Sequence, residues 1–269
     1  MFYPSTLPNR HRQFIERALP QLQSDPRLVG VAASGSYANN TLDPFSDLDL
    51  VIAVEPEHFD SVMRDRSQIA AKLAPDEQLL AHFTGEHVGE PRLVIGLYLD
   101  AGAAPLHVDL KFVQVQDAAV RVDEPCILWA RDERLAQALA QGEGRYPRAE
   151  AQWIEDRFWI WVHYAATKIG RGEYFEALDC LGFLRGQVLG PLAQQDAGFE
   201  PCGVRKLEQQ VPEFAMKLQG TVALCDAQSL VRATRCAAEL YQSLRSDPVC
   251  INGAAQQAAL AYLDALGQD

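Results

Sequence analysis

The stretch Val29-Gly30-Val31-Ala32-Ala33-Ser34-Gly35-Ser36, then ten residues, then Asp47-Leu48-Asp49-Leu50-Val51, decides how this chain reads. The run Leu28–Ala33 is short and apolar, as a buried strand is, and Ser34-Gly35-Ser36 ends it in a turn. Glycine lets the backbone come close to a ligand, the amides after it can point at an anion, and the serine hydroxyl adds a donor. The next strand, Asp47–Val54, opens with two carboxylates two residues apart. Side chains alternate across a strand, so Asp47 and Asp49 share one face while Leu48 and Leu50 turn to the core. Two carboxylates on one face repel, and a hard divalent cation offsets that cost best.

Working outward, Asn9–Leu22 has helical spacing, with Phe14, Ile15, Leu19 and Leu22 on one side. Residues 56–73 repeat that pattern, and Leu93–Leu99 and Leu106–Val113 read as strands. Within the last, Asp109 sits mid-strand between apolar neighbours, where a lone carboxylate is expensive unless paired or metal-bound. It is the expected third metal ligand, and a candidate base for the proton of an attacking hydroxyl. Phosphate donors beside a carboxylate cluster are the equipment of phosphoryl or nucleotidyl transfer.

From about residue 130 the pattern turns all-helical, with a Gly142, Gly144, Pro147 stretch between the halves. The expected fold class is therefore α+β: a small mixed sheet with helices, then a helical bundle. The expected boundaries are 1–125 for the sheet domain, 126–146 for a linker and 147–269 for the bundle. Trp153, Ile154, Phe158, Trp161, Val162, Ala165 and Ile169 form one helical stripe, and Phe175 through Leu192 form a second. Two more helices are expected, over 227–244 and 253–266.

The 269 residues are 48% hydrophobic and 22% charged, so a disordered or fibrous chain is excluded. The net charge of −12 argues against life on a nucleic-acid backbone, which needs clustered Lys and Arg. No stretch approaches the roughly 20 apolar residues of a spanning helix, and the N-terminus lacks an apolar signal core. None of the six cysteines falls in a C-x-x-C pair, so reduced thiols in a cytoplasmic protein are expected. Oligomeric state is open.

The Gly-Ser turn, ten-residue spacer, Asp-x-Asp and distant Asp together resemble the DNA polymerase β-like nucleotidyltransferase superfamily, over roughly residues 25–115. The resemblance implies that Gly35 and Ser36 hold a nucleoside triphosphate. It also implies that Asp47, Asp49 and Asp109 hold two Mg²⁺ ions. Ser46 is a further candidate contact, and equally a candidate strand cap. The helical half, with Lys168, Arg171 and the run Gly172-Glu173-Tyr174-Phe175-Glu176-Ala177, is similar to small-molecule adenylyltransferases such as those acting on aminoglycosides and lincosamides. On that resemblance Lys168 reaches the triphosphate and the acceptor is a small-molecule hydroxyl, with AMP coming from ATP and antibiotic resistance as a role.

Two rival readings remain open: AMP transfer onto a protein hydroxyl, as in antitoxin-type nucleotidyltransferases, and a non-catalytic nucleotide-binding protein. Other features have plainer readings. Arg157 and His163 resemble the ribonuclease motif of HEPN domains, but a packed or surface histidine is the expected outcome. Trp153, Trp159 and Trp161 are expected in bundle core and surface. Glu173 and Glu176 suit a helix N-terminus.

Overall fold

A computed structural model describes residues 3–73, 78–99, 104–245 and 249–267. The chain divides into two compact units, Met1–Arg145 and Tyr146–Asp269.

In the first unit α1 (Asn9–Ser24) leads into β1 (Leu28–Ala33), and the single turn α2 (Gly35–Ala38) follows. Then come β2 (Leu48–Val54), α3 (Phe59–Lys72), the hairpin β3 (Gln78–Gly85) and β4 (Glu90–Leu99), and β5 (Leu106–Gln114). Strand β6 (Cys126–Ala130) and helix α4 (Arg134–Leu139) close the unit. The described strands form one mixed sheet in the order β3-β4-β5-β2-β1-β6. Only β2 and β5 run parallel; the other pairs are antiparallel.

Every residue of β1 is buried, which is why it reads as an unbroken apolar run. β2 and β5 alternate instead. Leu48, Leu50, Ile52 and Val54 of β2, with Val108, Leu110 and Phe112 of β5, face a core made with Phe14, Ile15 and Leu19 of α1. Ala53 and Val113, one residue out of phase, face a smaller core under Leu135 and Ala138 of α4. Asp49 and Asp109 belong to that second face by the same alternation.

Residues 126–146 were expected as a linker. Their first part is instead a sheet strand, with Ala33 paired to Cys126 and Gly30 to Ala130. β6 has only five residues, too few for a periodic signal. β3 was not expected either, since its sequence QLLAHFTG neither alternates nor contains a β-branched run.

The second unit contains α5 (Ala151–Gly170), α6 (Tyr174–Leu184), α7 (Gly190–Asp196), α8 (Leu207–Gln210), α9 (Pro212–Leu218), α10 (Ala227–Leu244) and α11 (Gly253–Ala265). Asp226 caps α10 by accepting from the Ser229 N–H at 2.8 Å, and Asn252 caps α11 through Ala255 at 3.1 Å. The second apolar stripe, which reads as one helix, is interrupted by a π-helical turn at Arg185–Leu189. A Cβ on Gly190 would lie 2.1 Å from the Gly203 carbonyl oxygen, so the next loop crosses where only glycine fits. Of the expected α5 stripe, Ile154, Phe158, Val162, Ala165 and Ile169 are buried, whereas Trp161 is half-buried and Trp153 is exposed, because the latter two lie at the edge of the apolar face. Trp159 is buried as well, its ring edge-on to Phe158.

The hub of this unit is polar. Glu155 is 1% exposed on α5. Its carboxylate accepts from the Trp159 indole at 3.0 Å, the Tyr241 hydroxyl at 2.7 Å and the Asn252 amide at 3.2 Å. Arg245 stands 3.7 Å away and lies over the Trp159 and Tyr241 rings. The Tyr241 hydroxyl is pushed above its usual range by burial and by the carboxylate it donates to. One side chain thus ties together α5, α10 and the start of α11. No helix among the described residues is long and apolar enough to cross a membrane.

Candidate active site

β1 ends at Ala33, and the Ser34 N–H bonds the Asp49 carbonyl at 3.0 Å, which sets the turn against the start of β2. Gly35 has φ +58°. A Cβ there would lie 2.6 Å from Asp49 Oδ2, so left-handed backbone and close approach both demand glycine. The Gly35 N–H donates to Asp123 Oδ2 at 2.6 Å. A carboxylate of the chain itself therefore occupies the backbone donor that the sequence assigns to an anion. Ser36 is half-buried in α2, and its carbonyl accepts from Thr41 at 3.0 Å.

Gly35→Ala tests this turn. The left-handed penalty of about 1–2 kcal/mol leaves the unit folded. Displacing the Asp49 carboxylate should lower nucleotidyl transfer by about 10²-fold, the effect of ~1 Å misplacement at a reacting centre. Steady-state pyrophosphate release measures it.

Asp49 and Asp109 are Cα partners across the parallel β2–β5 pair. Asp47 lies just before β2, on the same face by alternation. Burial pushes the Asp109 carboxyl above its usual range, the charge of Asp47 adds to that, and His107 opposes it. His107 Nε2 stands 2.8 Å from Asp109 Oδ1. Desolvation and like charge thus disfavour ionisation of Asp109, and a bound cation would relieve both. The donor set of oxygens suits a hard divalent ion. The side chains have not converged, however: among the described residues no three His, Cys, Asp or Glu groups stand close enough to hold one ion. Asp109 is turned to His107 instead.

The raised Asp109 carboxyl carries a stability prediction. The folded chain holds this proton more tightly than the unfolded chain does. Stability therefore falls as pH rises from the ordinary carboxylate range through the folded value. Asp109→Asn, which can still accept from His107, should raise the first unit's melting temperature at pH 7. The gain, read by thermal unfolding, should vanish at pH 3.

The Ser46 side chain touches the turn before it. Its hydroxyl donates to Asp43 Oδ1 at 3.0 Å and accepts from the Asp43 N–H at 2.9 Å. Lys168 lies on α5 of the second unit, where its Nζ bonds Glu173 Oε2 at 2.6 Å and lies over the Tyr164 ring. The hydrogen bond to Glu173 raises its ammonium above the usual range. Arg171 is within 3.7 Å of Glu173, and Glu176 accepts from the Tyr164 hydroxyl. Arg157 lies over the Trp153 ring and the His163 ring packs against Tyr262.

The structure therefore sets Gly35 against Asp49 and Asp49 in register with Asp109, with Asp47 just before β2, while Lys168 belongs to the second unit. Three neighbours escaped the sequence reading. His107 was legible in principle, since the His-x-Asp alternation puts it on the face of Asp109. Asp123 and His11 carry no local signal, because their contacts join segments 88 and 35 residues apart.

Residues 15–89 match the model of the nucleotidyltransferase domain family. Over that stretch, a little over a quarter of the chain, the sequence is similar to nucleotidyltransferase domains. The match covers Gly35, Ser36, Asp47 and Asp49 and ends before Asp109. Among solved structures, an aminoglycoside 6-adenyltransferase from Bacillus subtilis is 14% identical, with 97% of each chain covered and a TM-score of 0.34. A nucleotidyltransferase-like protein from Exiguobacterium sibiricum is 16% identical, covering 86% of this chain and 74% of its own, with a TM-score of 0.38. Similarity at this level fixes neither an acceptor nor a residue role. No curated protein sequence matches the chain at a significant level.

Proposed function

We propose that the chain moves AMP from ATP to a hydroxyl of a small molecule, an acceptor of the aminoglycoside or lincosamide kind. The observation that carries this reading is the Asp49–Asp109 register pair beside the left-handed Gly35, with Gly35 and Asp49 inside the stretch that matches the nucleotidyltransferase domain family. Asp47, Asp49 and Asp109 would hold Mg²⁺, as a pair of ions, and the metal when bound supplies positive charge to the triphosphate and lowers the pKa of the acceptor hydroxyl.

The chain's own part is binding, orientation and proton handling. The Gly35 amide and the Ser36 hydroxyl would receive phosphate oxygens, once the amide exchanges Asp123 for the nucleotide. The acceptor oxygen attacks the α-phosphorus, the bond to pyrophosphate breaks, and pyrophosphate leaves opposite the attack. Asp109 is the candidate to take the hydroxyl proton, since burial raises its carboxyl above the usual range and so makes its carboxylate a stronger base. Lys168 is proposed as a triphosphate contact on the sequence resemblance alone. A cytoplasmic setting and a role in antibiotic resistance belong to the same proposal.

The test is pyrophosphate release from Mg-ATP against a panel of aminoglycosides, lincosamides and related hydroxylated molecules. α-Labelled ATP shows where AMP goes. Label in a small molecule supports the reading, and label in protein alone replaces it with protein modification. Absence of Mg²⁺-dependent ATP binding by calorimetry would sink the enzyme reading altogether.

A further inference from the structure

The loop that delivers Asp47 is held from behind by two adjacent residues of α1. His11 is fully buried, and its Nε2 lies 2.7 Å from the Ser46 carbonyl oxygen. A carbonyl can only accept, so Nε2 carries the proton and donates. His11 Nδ1 is buried with no hydrogen-bond partner among the described residues. Arg10 reaches two carbonyls at once: Nη2 donates to Pro44 at 3.1 Å and Nη1 to Ala104 at 2.9 Å. Pro44 lies three residues before Asp47, and Ala104 lies two residues before β5, the strand of Asp109. One guanidinium therefore spans the two backbone segments that enter the carboxylate strands.

The loop is rigid within itself. Asp43 Oδ1 accepts from the Phe45 N–H at 2.8 Å and from the Ser46 hydroxyl, and the Ser46 N–H bonds the Asp43 carbonyl at 3.2 Å. Burial does not hold its tip, since Phe45 is 94% exposed. Leu42 at its base is buried and its N–H donates to the Thr6 hydroxyl, and closer to Asp47 the Arg10 and His11 donors tie the turn to α1. An apolar side chain at position 11 would fill the same volume without a buried, unsatisfied ring nitrogen, which is costly. The imidazole is explained by what Nε2 holds.

We propose that Arg10 and His11 are positioning residues of the carboxylate site, holding the backbone that delivers Asp47 against the strand of Asp109 so that the side chains can close on a divalent cation. The assignment rests on the metal-dependent reading above. Burial holds the His11 imidazole below its usual range, so the ring stays neutral and its role is that of a fixed donor. Supporting partners of metal ligands typically tune affinity by about 10–100-fold.

The experiment titrates Mn²⁺ by electron paramagnetic resonance into full-length protein with ATP present. Wild type is compared with His11→Leu, His11→Gln and Arg10→Met, each with its melting temperature. The leucine variant keeps the buried volume, and glutamine restores an N–H donor at the reach of Nε2. His11→Leu and Arg10→Met should each weaken Mn²⁺ binding about tenfold with the fold intact, and His11→Gln should recover most of it. Pyrophosphate release should show the same pattern, as a raised Mg²⁺ requirement with turnover kept at saturating metal. Equal Mn²⁺ affinity in folded His11→Leu and Arg10→Met overturns the inference, and so does a glutamine variant as weak as the leucine one. If His11→Leu does not fold, Arg10→Met, a partly exposed side chain, decides alone. Wild type that binds no Mn²⁺ overturns the metal-dependent reading itself, and that arm separates the two failures.

Discussion

Asp49→Asn should leave a folded protein that no longer transfers nucleotide. The substitution keeps the size of the side chain and removes one negative charge at the place where β2 and β5 run in register. A metal-held charge in such a site stabilises the transition state by several kcal/mol. Losing about 4 kcal/mol slows turnover by about 10³-fold. The melting temperature should not fall, because the charge removed lies among other carboxylates and not in the apolar core. The measurement is turnover at saturating Mg-ATP alongside thermal unfolding. Asp47→Asn should behave alike, and retained turnover in either variant would remove the metal assignment.

The largest effect on stability is expected at Glu155. Glu155→Ala strips the acceptor from the Trp159 indole, the Tyr241 hydroxyl and the Asn252 amide together, and leaves Arg245 without its buried carboxylate. Breaking a buried charge pair by removing one partner costs about 3–5 kcal/mol, or a drop of about 10 °C for the helical unit. Glu155→Gln keeps one carbonyl acceptor and should lose much less. Equal losses in the two variants would mean that shape matters here and hydrogen bonding does not. Differential scanning calorimetry reads both.

The sheet was legible where a strand announces its own environment. β1 is an unbroken apolar run because both of its faces are covered, and β2 and β5 alternate because one face of each stays partly open. β3 and β6 failed that test, one for lack of alternation and one for shortness. The break at Arg185–Leu189 was hidden because the residues on either side keep helical spacing, and its cause is a loop passing over Gly190. In the site, the types and spacing of Gly35, Ser36, Asp47, Asp49 and Asp109 were visible. Their arrangement was not, because register between strands is a property of the pair. The same limit hid Asp123 on the Gly35 amide and His11 under Ser46.

The parallel pairing of β2 with β5 has a consequence for how the site comes into being. Its two facing carboxylates are about sixty residues apart in sequence, with a helix and a hairpin between them. Nothing local in the chain holds them together, so the site exists only after that long loop has closed. Such non-local contacts raise the contact order and form late and slowly during folding. A nascent chain on the ribosome would already carry the Gly-Ser turn and the Asp-x-Asp strand, yet it would lack the site until β5 had emerged and paired. By the same reasoning, a fragment ending near residue 89 should be catalytically silent even if it reaches a compact state.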